Sequence, residues 1–332
     1  MENQLKVLFV SSGTSENFEI APFIKAQGDS LVKAGVSVSY FPIKDKGFLG
    51  YLKGAVKIRK FLKENNFDII HAHYTLSGWS AVLALPKQPI ILSLMGTDTY
   101  GDYIGEDKIR FSSNYLILLT RLIQPFVAKL ICKSKHIESF VYLKKKSVVI
   151  PNGILLSMFL INGNGFRKEL GLEKNRRYVL FLGDKNSIRK NFQLATDALK
   201  KVNMEMVSLI APFPVSHSEV VKYLNSVDCL VVPSLMEGSP NVVKEAMACN
   251  CPVVASNVGD VAWLFGDEPG YYTTTFDPED VASKIKLALD FSEKLGRTNG
   301  RERIISLDLD SRKVAQRIIE VYKSALNDKG NG

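Results

Sequence analysis

Two glutamates flank a predicted helix start in the C-terminal half of the chain. Glu237 and Glu245 enclose the segment Gly-Ser-Pro-Asn-Val-Val-Lys, which follows an apolar run. Ser239 is placed to cap the helix, and Pro240 is suited to its first position. The next backbone N–H groups lack intrahelical acceptors and favour a phosphate; they belong to Asn241, Val242 and Val243. The carboxylates can accept hydrogen bonds from sugar hydroxyls, although both are also ordinary residues at an exposed helix start.

Further candidate residues follow other predicted strands. Arg189 and Lys190 lie in a loop and could stabilise a diphosphate, or form an ordinary charged surface loop. Gly13 permits close backbone approach to a phosphate or an acceptor, or simply forms a turn. His73 ends an apolar strand, where open α/β sheets bind ligands, although a lone histidine there is more often structural. Asp98 follows the next strand, either as an acceptor-binding group or as a turn cap.

These segments resemble the retaining glycosyltransferases of family 4, whose E-x7-E motif is matched by Glu237 and Glu245. The segments 181–191 and 246–260 are similar to those that surround the motif in the family. The resemblance implies the GT-B fold, an α/β architecture of two Rossmann-like domains, each with a doubly wound parallel sheet, facing a central cleft. It is strongest over residues 177–290 and weaker in the first half, where acceptors bind.

The resemblance also implies roles for individual residues. Glu237 would contact the donor sugar, Glu245 the nucleotide ribose, and Lys190 with Arg189 the diphosphate. His73 is similar to the family histidine beside the reacting sugar and joins these residues as a catalytic candidate. The candidate donor-binding residues are Gly13, Gly238, Ser239, Asn241, Val242, Val243 and Glu245.

Two positions depart from the family pattern. Asp184 follows a strand glycine where many relatives have an arginine, so one cation for the diphosphate is replaced, and Arg189 or Lys185 would have to substitute. Met95 stands where the family often has a histidine. Asp98 then remains as the residue that could orient an acceptor hydroxyl.

Short β-branched runs alternate with amphipathic helical segments, a pattern typical of parallel α/β sheets. Strands are predicted near residues 6–11, 37–41, 68–72, 89–94, 129–132, 147–150, 178–182, 206–210, 229–232, 252–255 and 271. The segment 151–165, rich in Gly and Asn, indicates a domain boundary. We therefore expect an acceptor-binding domain over 1–150, a donor-binding domain over 151–310, and a helix over 311–328 that crosses back to the first domain.

The 332-residue chain has a net charge of +9, of which residues 1–150 contribute +8, with 20 Lys and Arg against 12 Asp and Glu. A basic first domain could bind an anionic membrane that carries a lipid-linked acceptor, whereas ordinary solvated lysines are the alternative. Aromatic and basic residues are interleaved in one segment of it, namely Tyr40, Phe41, Phe48 and Tyr51 with Lys44, Lys46 and Lys53. No RNA-binding motif or helix-turn-helix pattern is found, so nucleic acid is not expected as a partner.

Other features exclude several classes of protein. The four cysteines lie in or beside apolar runs and are expected to be core thiols in a reducing compartment. No metal-ligand spacing is found, so we expect no metal. The N-terminus lacks a signal-peptide pattern, and charged residues interrupt the apolar stretch 115–132. These features predict a cytoplasmic protein, peripheral at most on the inner face of the cell membrane.

The predicted function is transfer of a hexosyl unit from a UDP- or GDP-sugar to a saccharide or lipid-linked saccharide acceptor, a precursor of the cell envelope or of a polysaccharide. The anomeric configuration of the donor would be retained, and no metal would be needed. Two alternatives stay open. An epimerase or hydrolase of nucleotide sugars with the same fold would consume the donor without an acceptor. A non-catalytic protein would bind a nucleotide sugar or nucleic acid.

Overall fold

The computed structural model describes residues 4–13, 19–45, 47–106, 108–162 and 166–330. The chain forms two compact units. Unit 1 comprises the chain up to Asp102, Arg110–Gly153 and the segment from Ser311 onward, whereas unit 2 comprises Tyr103–Ile109 and Ile154–Asp310. Lys46, the side chain of Phe48 and residues 163–165 of the expected boundary lie outside the described residues.

The strands are, in chain order, β1 (Lys6–Ser12), β2 (Ser37–Ile43), β3 (Ile69–His73), β4 (Ile90–Leu94), β5 (Tyr103–Gly105), β6 (Lys108–Ile109), β7 (Lys129–Cys132), β8 (Ser147–Val149), β9 (Arg177–Leu180), β10 (Val207–Ile210), β11 (Cys229–Val232), β12 (Val253–Ser256) and β13 (Tyr271–Thr274). The helices are α1 (Pro22–Lys33), α2 (Gly47–Glu64), α3 (Thr75–Leu83), α4 (Thr97–Tyr100), α5 (Ser113–Ile123), α6 (Lys135–Ser139), α7 (Phe192–Val202), α8 (His217–Ser226), α9 (Asn241–Ala248), α10 (Val261–Phe265), α11 (Pro278–Leu295), α12 (Gly300–Ser306) and α13 (Ser311–Gly330). Single 3-10 turns cover Gln124–Phe126, Lys144–Lys146 and Ile188–Lys190.

Each unit contains a parallel sheet, which confirms the predicted α/β class. The strand order is β2-β1-β3-β4-β7-β8 in unit 1 and β10-β9-β11-β12-β13 in unit 2. Strands of such sheets are covered on both faces and therefore read as continuous apolar runs, as β1 does. The antiparallel pair β5–β6 was not predicted, because its strands are too short to show a periodic pattern.

The core of unit 1 includes the C-terminal helix. Val314, Ile318 and Tyr322 of α13 are buried in one cluster with Val7 and Phe9 of β1. These residues recur every three or four positions and form the apolar face of α13. Helix α13 thus covers one face of the unit 1 sheet. The segment Ile154–Asp310 of unit 2 begins and ends at adjacent positions, because Ile154 and Asp310 form a parallel β-bridge. The expected boundary at 150/151 lies close to the observed division at 153/154.

Two aromatic residues of the basic segment pack within unit 1. Tyr40 and Phe41 lie in β2 and are partly buried. Tyr40 packs edge-on against Phe9 at 5.7 Å between ring centroids, and Phe41 packs against Phe61 at 5.5 Å. These contacts explain Tyr40 and Phe41 through packing within unit 1, and the binding of the basic segment to a membrane stays a prediction.

None of the described helices has both the length and the hydropathy needed to span a bilayer. The four cysteines are buried free thiols, as expected from their apolar surroundings. Burial raises the pKa of Cys251 to about 11, so this thiol is protonated and unreactive at neutral pH.

Replacing Ile318 by alanine tests the packing of α13. The side chain is fully buried, and its loss should lower the free energy of unfolding by about 2 to 5 kcal/mol because a cavity remains. The neighbouring Ile319 is only partly buried, so Ile319→Ala should have a clearly smaller effect. Chemical denaturation of both variants measures this difference, and equal effects would show that α13 does not contribute its apolar face to the core.

Candidate functional site

The predicted helix start lies at the carboxyl end of β11 in unit 2. Helix α9 begins at Asn241, and Pro240 occupies the cap position without a side-chain hydrogen bond to the helix. The expectation that Ser239 caps the helix is therefore wrong. Its hydroxyl instead accepts a hydrogen bond from the Lys244 ammonium at 3.0 Å, and a charged donor binds more strongly than a backbone amide.

Glu237 is buried beside the two predicted cations. Its carboxylate lies 2.8 Å from the Arg189 guanidinium and 2.7 Å from the Lys190 ammonium. Both cations lie in the 3-10 turn Ile188–Lys190, which the backbone ties to the β11 turn through the Leu235 N–H and the Arg189 carbonyl, 2.8 Å apart. Burial alone would raise the pKa of Glu237, but the two positive charges outweigh it and the net pKa lies below its usual value. Glu237 is therefore ionised.

Asp184 and Lys185, which precede the cation turn, make local contacts. The Asp184 carboxylate accepts a hydrogen bond from the Asn186 N–H at 2.9 Å and stabilises its own loop. The Lys185 ammonium lies over the Phe192 ring, 5.5 Å from its centroid. Arg189, rather than Lys185, is thus the second cation that contacts Glu237.

Glu245 lies on α9 beyond the cation cluster and is also buried. Burial raises its pKa, while the charges of His217, Lys244 and Lys190 act in the opposite direction. The His217 Nε2 atom lies 3.8 Å from the Glu245 carboxylate. His217 was not singled out from the sequence, although the capping box formed by Ser216 and Glu219 marks the start of its helix α8.

Lys244 is a second residue that sequence reasoning missed. Its side chain is fully buried on α9, where the positions Val243 and Ala246 are buried as well. Burial lowers the pKa of Lys244 to about 8, although Asp260 and Glu245 stabilise its charge. A lysine inside an otherwise apolar helix face was the available signal, because such a position is costly unless the charge has partners.

The loop after β12 packs directly beneath the Glu237 turn. Gly259 has φ +63°, and an added Cβ would lie 2.5 Å from the Glu237 carbonyl oxygen. Only glycine fits this backbone conformation and this close approach. Asp260, the next residue, is buried; burial raises its pKa, and the charge of Lys244 opposes this rise. The loop after β12 and the two cations of the 3-10 turn therefore both hold in place the turn that carries Gly238 and Ser239.

Unit 1 contains the predicted histidine at the end of β3. His73 is buried, and neither of its ring nitrogens has a hydrogen-bond partner among the described residues. The ring stacks on His71 at 4.3 Å between centroids. Burial and the positive charge of Lys133 hold the pKa of His73 well below its usual value, so the imidazole is neutral at pH 7. A neutral imidazole can donate one hydrogen bond and accept another.

The other two candidates of unit 1 have internal explanations. Asp98 is fully buried, and its carboxylate accepts hydrogen bonds from the N–H groups of Met95 at 3.0 Å, Gly96 at 2.9 Å and Thr75 at 3.2 Å. A Cβ on Gly13 would lie 2.7 Å from the Pro42 Cβ. Packing therefore accounts for Gly13 and turn capping accounts for Asp98, and their ligand-binding roles stay predictions.

Within the residues described by the structure, no cluster of three or more His, Cys, Asp or Glu side chains is arranged to hold a metal ion. The groups that converge in unit 2 are instead two cations, two buried carboxylates and the start of α9. The first N–H groups of a helix lack intrahelical acceptors and, with the helix dipole, attract anions. This arrangement can bind a polyol and a phosphate together.

Sequence models of two families match the chain. The model described as Glycosyl transferases group 1 matches residues 166–290, and that described as Glycosyltransferase Family 4 matches residues 3–157. The uncharacterized glycosyltransferase MJ1178 of Methanocaldococcus jannaschii is 31% identical over 276 residues, which cover 76% of this chain and 75% of the relative.

Two further comparisons extend this result. The phosphatidyl-myo-inositol mannosyltransferase of Propionibacterium freudenreichii is 26% identical over 294 residues, covering 82% of this chain and 74% of the relative. The crystal structure of Anabaena HepE in complex with UDP and glucose has a TM-score of 0.74 at 17% identity, covering 97% of this chain and 100% of that protein. At this identity the structural likeness shows the fold alone.

The lowered pKa of Lys244 predicts a pH-dependent stability. Between the folded pKa of about 8 and the usual value of 10.5, the unfolded chain binds more protons, so stability rises with pH. Relative to Lys244→Met, the wild type should therefore gain about 2 to 3 kcal/mol of unfolding free energy from about pH 7 to about pH 10. Denaturant titrations at several pH values measure this gain. Lys294→Met, at an exposed position of α11, should show no such trend, and a pH-independent difference for Lys244→Met would refute the assignment.

Proposed function

This chain belongs to the group 1 and family 4 glycosyltransferases and is a glycosyltransferase, and on that premise we propose that it moves a hexosyl unit from a UDP- or GDP-sugar to a saccharide or lipid-linked precursor of the cell envelope or a polysaccharide. The observation that carries the proposal is the cluster of the buried Glu237 with the partly buried Arg189 and Lys190 beside the start of α9. The phosphatidyl-myo-inositol mannosyltransferase, by its name, acts on a lipid acceptor, and HepE was crystallised with UDP and glucose.

In the proposed reaction, unit 2 binds the donor. Two cations contact one carboxylate, so the cluster keeps a surplus positive charge that stabilises the departing diphosphate together with the amides of Asn241, Val242 and Val243. Glu237 accepts hydrogen bonds from the donor sugar, and Glu245 accepts them from the ribose. The acceptor hydroxyl attacks the anomeric carbon from the face that the diphosphate leaves, so the configuration is retained. The acceptor proton passes to the departing phosphate oxygen.

His73 is proposed to contact a hydroxyl of the reacting sugar. Its ring is neutral, and its unpartnered nitrogens match a group that both donates and accepts hydrogen bonds, as a hydroxyl does. We propose that no metal takes part, because the cations and helix amides of unit 2 supply the charge that would otherwise come from a metal ion. Reaction on the cytoplasmic face, with peripheral membrane association, completes the proposal.

A panel of nucleoside diphosphates tests the donor site. A ligand that binds only the folded protein raises its apparent thermal stability, and we expect UDP or GDP to do so in the presence of EDTA. Glu245→Gln should weaken the affinity by about 10- to 100-fold, because a charge-assisted hydrogen bond is lost. Glu302→Gln, an exposed substitution on α12, serves as the control and should leave the affinity unchanged. No shift with any nucleotide, or an unaltered shift in Glu245→Gln, would contradict the assignment.

Product analysis tests the reaction itself. Incubation with nucleotide sugars and saccharide or lipid-linked acceptors should yield a new glycoside whose anomeric configuration, measured by NMR, equals that of the donor. Glu237→Gln should lower kcat by at least about tenfold, because the cation cluster and the donor sugar lose a charged partner. Donor consumption without any acceptor would instead indicate a hydrolase or epimerase, and nucleotide binding without turnover would indicate a binding protein.

A further inference from the structure

Helix α5 of unit 1 and the turns before and after it carry a row of apolar side chains that face solvent. The exposed fractions are 87% for Phe111, 51% for Tyr115, 54% for Leu118, 51% for Leu122 and 61% for Phe126. These residues are called the α5 stripe below. Tyr115, Leu118 and Leu122 lie within α5, three or four positions apart, and so share one helix face. Phe111 lies just before the helix, and Phe126 lies in the 3-10 turn that follows it. A continuous exposed apolar surface of this kind marks an interaction site.

The opposite face of α5 is firmly packed. Ile123 and Thr120 are buried, and the Thr120 hydroxyl donates to the Leu116 carbonyl oxygen at 2.9 Å. The Trp79 indole N–H of α3 donates to the Leu119 carbonyl oxygen at 3.1 Å. The exposure of the stripe is therefore a property of a well-anchored helix, since its other side already fills the core of unit 1.

Cations border the stripe at its C-terminal end. Arg121 is exposed on α5 itself, and the turn Lys144–Lys146 lies beside the end of the helix. The Lys146 ammonium donates to the carbonyl oxygens of Pro125 at 2.9 Å and Val127 at 2.8 Å. Lys144 and Lys145 are exposed. No carboxylate occurs between residues 111 and 126, and the one beside the lysine turn, Glu138, accepts a hydrogen bond from the Ser147 hydroxyl at 2.7 Å.

The neighbouring helices continue this surface. Helix α2 packs on α3, which packs on α5, so the three form one layer. Leu49 and Val56 of α2 are exposed. The basic residues of α2 are Lys53, Lys57, Arg59, Lys60 and Lys63, whereas Glu64 is its one acidic residue. The layer therefore repeats the same combination of apolar and positive side chains over a second helix.

We propose that the α2–α3–α5 layer of unit 1 docks on the surface of an anionic lipid bilayer. The α5 stripe enters the interfacial region of the bilayer, and the lysines and arginines around it contact anionic headgroups. Interfacial helices bind by this combination of apolar burial and charge attraction. A protein partner fits less well, because lysines are depleted in protein interfaces and few acidic residues are present here to pair with a mixed surface. The inference deepens the proposed function by identifying the surface that would approach a lipid-linked acceptor.

Vesicle cosedimentation of the full chain tests this proposal without any sugar substrate, so its outcome is independent of the proposed reaction. We expect binding to vesicles of phosphatidylcholine with phosphatidylglycerol, little binding to phosphatidylcholine alone, and weaker binding at high salt, which screens the charges. Leu118→Asn combined with Leu122→Asn should lower the partition coefficient at least about tenfold, because two apolar side chains no longer enter the bilayer.

A matched control replaces two exposed apolar residues of unit 2, Leu287 and Leu295, by asparagine and should bind as the wild type does. Thermal unfolding establishes that each variant is folded. Equal binding of the α5 variant and the wild type, or no preference of the wild type for anionic vesicles, would overturn the proposal. Sedimentation velocity without lipid tests whether a second copy of the chain binds the stripe instead. A dimer that the α5 substitutions dissociate would identify the stripe as a protein interface and would also refute lipid docking.

Discussion

A carboxylate buried beside two cations is the constraint on which the rest of unit 2 depends. Taking Glu237 out of water costs several kcal/mol, and this cost is offset only while Arg189 and Lys190 stay within hydrogen-bond distance. The cations follow β9 and the carboxylate follows β11, and these strands pair directly in the parallel sheet. The sheet register thus fixes the cluster, and the surplus positive charge is placed where helix α9 begins.

A second buried charge, that of Lys244, lies beside the turn that follows Glu237. Lys244 is buried at a cost to stability, and it contacts Ser239 at 3.0 Å while its charge acts on Asp260 and Glu245. A methionine would fill the same position without a charge to bury. A lysine at this position fits the general trade-off in which binding sites contain interactions that lower stability. Its positive charge also limits the repulsion among Glu237, Glu245 and Asp260, three carboxylates supplied by the turn after β11, helix α9 and the loop after β12.

The sequence predicted what depends on local pattern, and failed where distant segments decide. Continuous apolar runs located β1 and β11, and the spacing of Glu237 and Glu245 led to the candidate site. The proximity of His217 to Glu245 has no local pattern, because the loop and helix between them set the distance. The contact of Tyr40 with Phe9 has no local pattern either, since residue type alone does not tell which side of a strand is covered. The α5 stripe was hidden in a run that is apolar on both faces of its helix.

The two histidines of β3 show why a strand end can be selective without being charged. His71 has both ring nitrogens engaged, Nδ1 with the Tyr322 hydroxyl at 2.6 Å and Nε2 with Ser93 at 2.8 Å. His73 stacks on it with neither nitrogen engaged by the described residues, and an unpaired buried polar group is costly. Because α13 supplies Tyr322, the C-terminal helix fixes the ring against which His73 packs. In the proposed function a sugar hydroxyl, which both donates and accepts, would restore the hydrogen bonds that this neutral imidazole lacks.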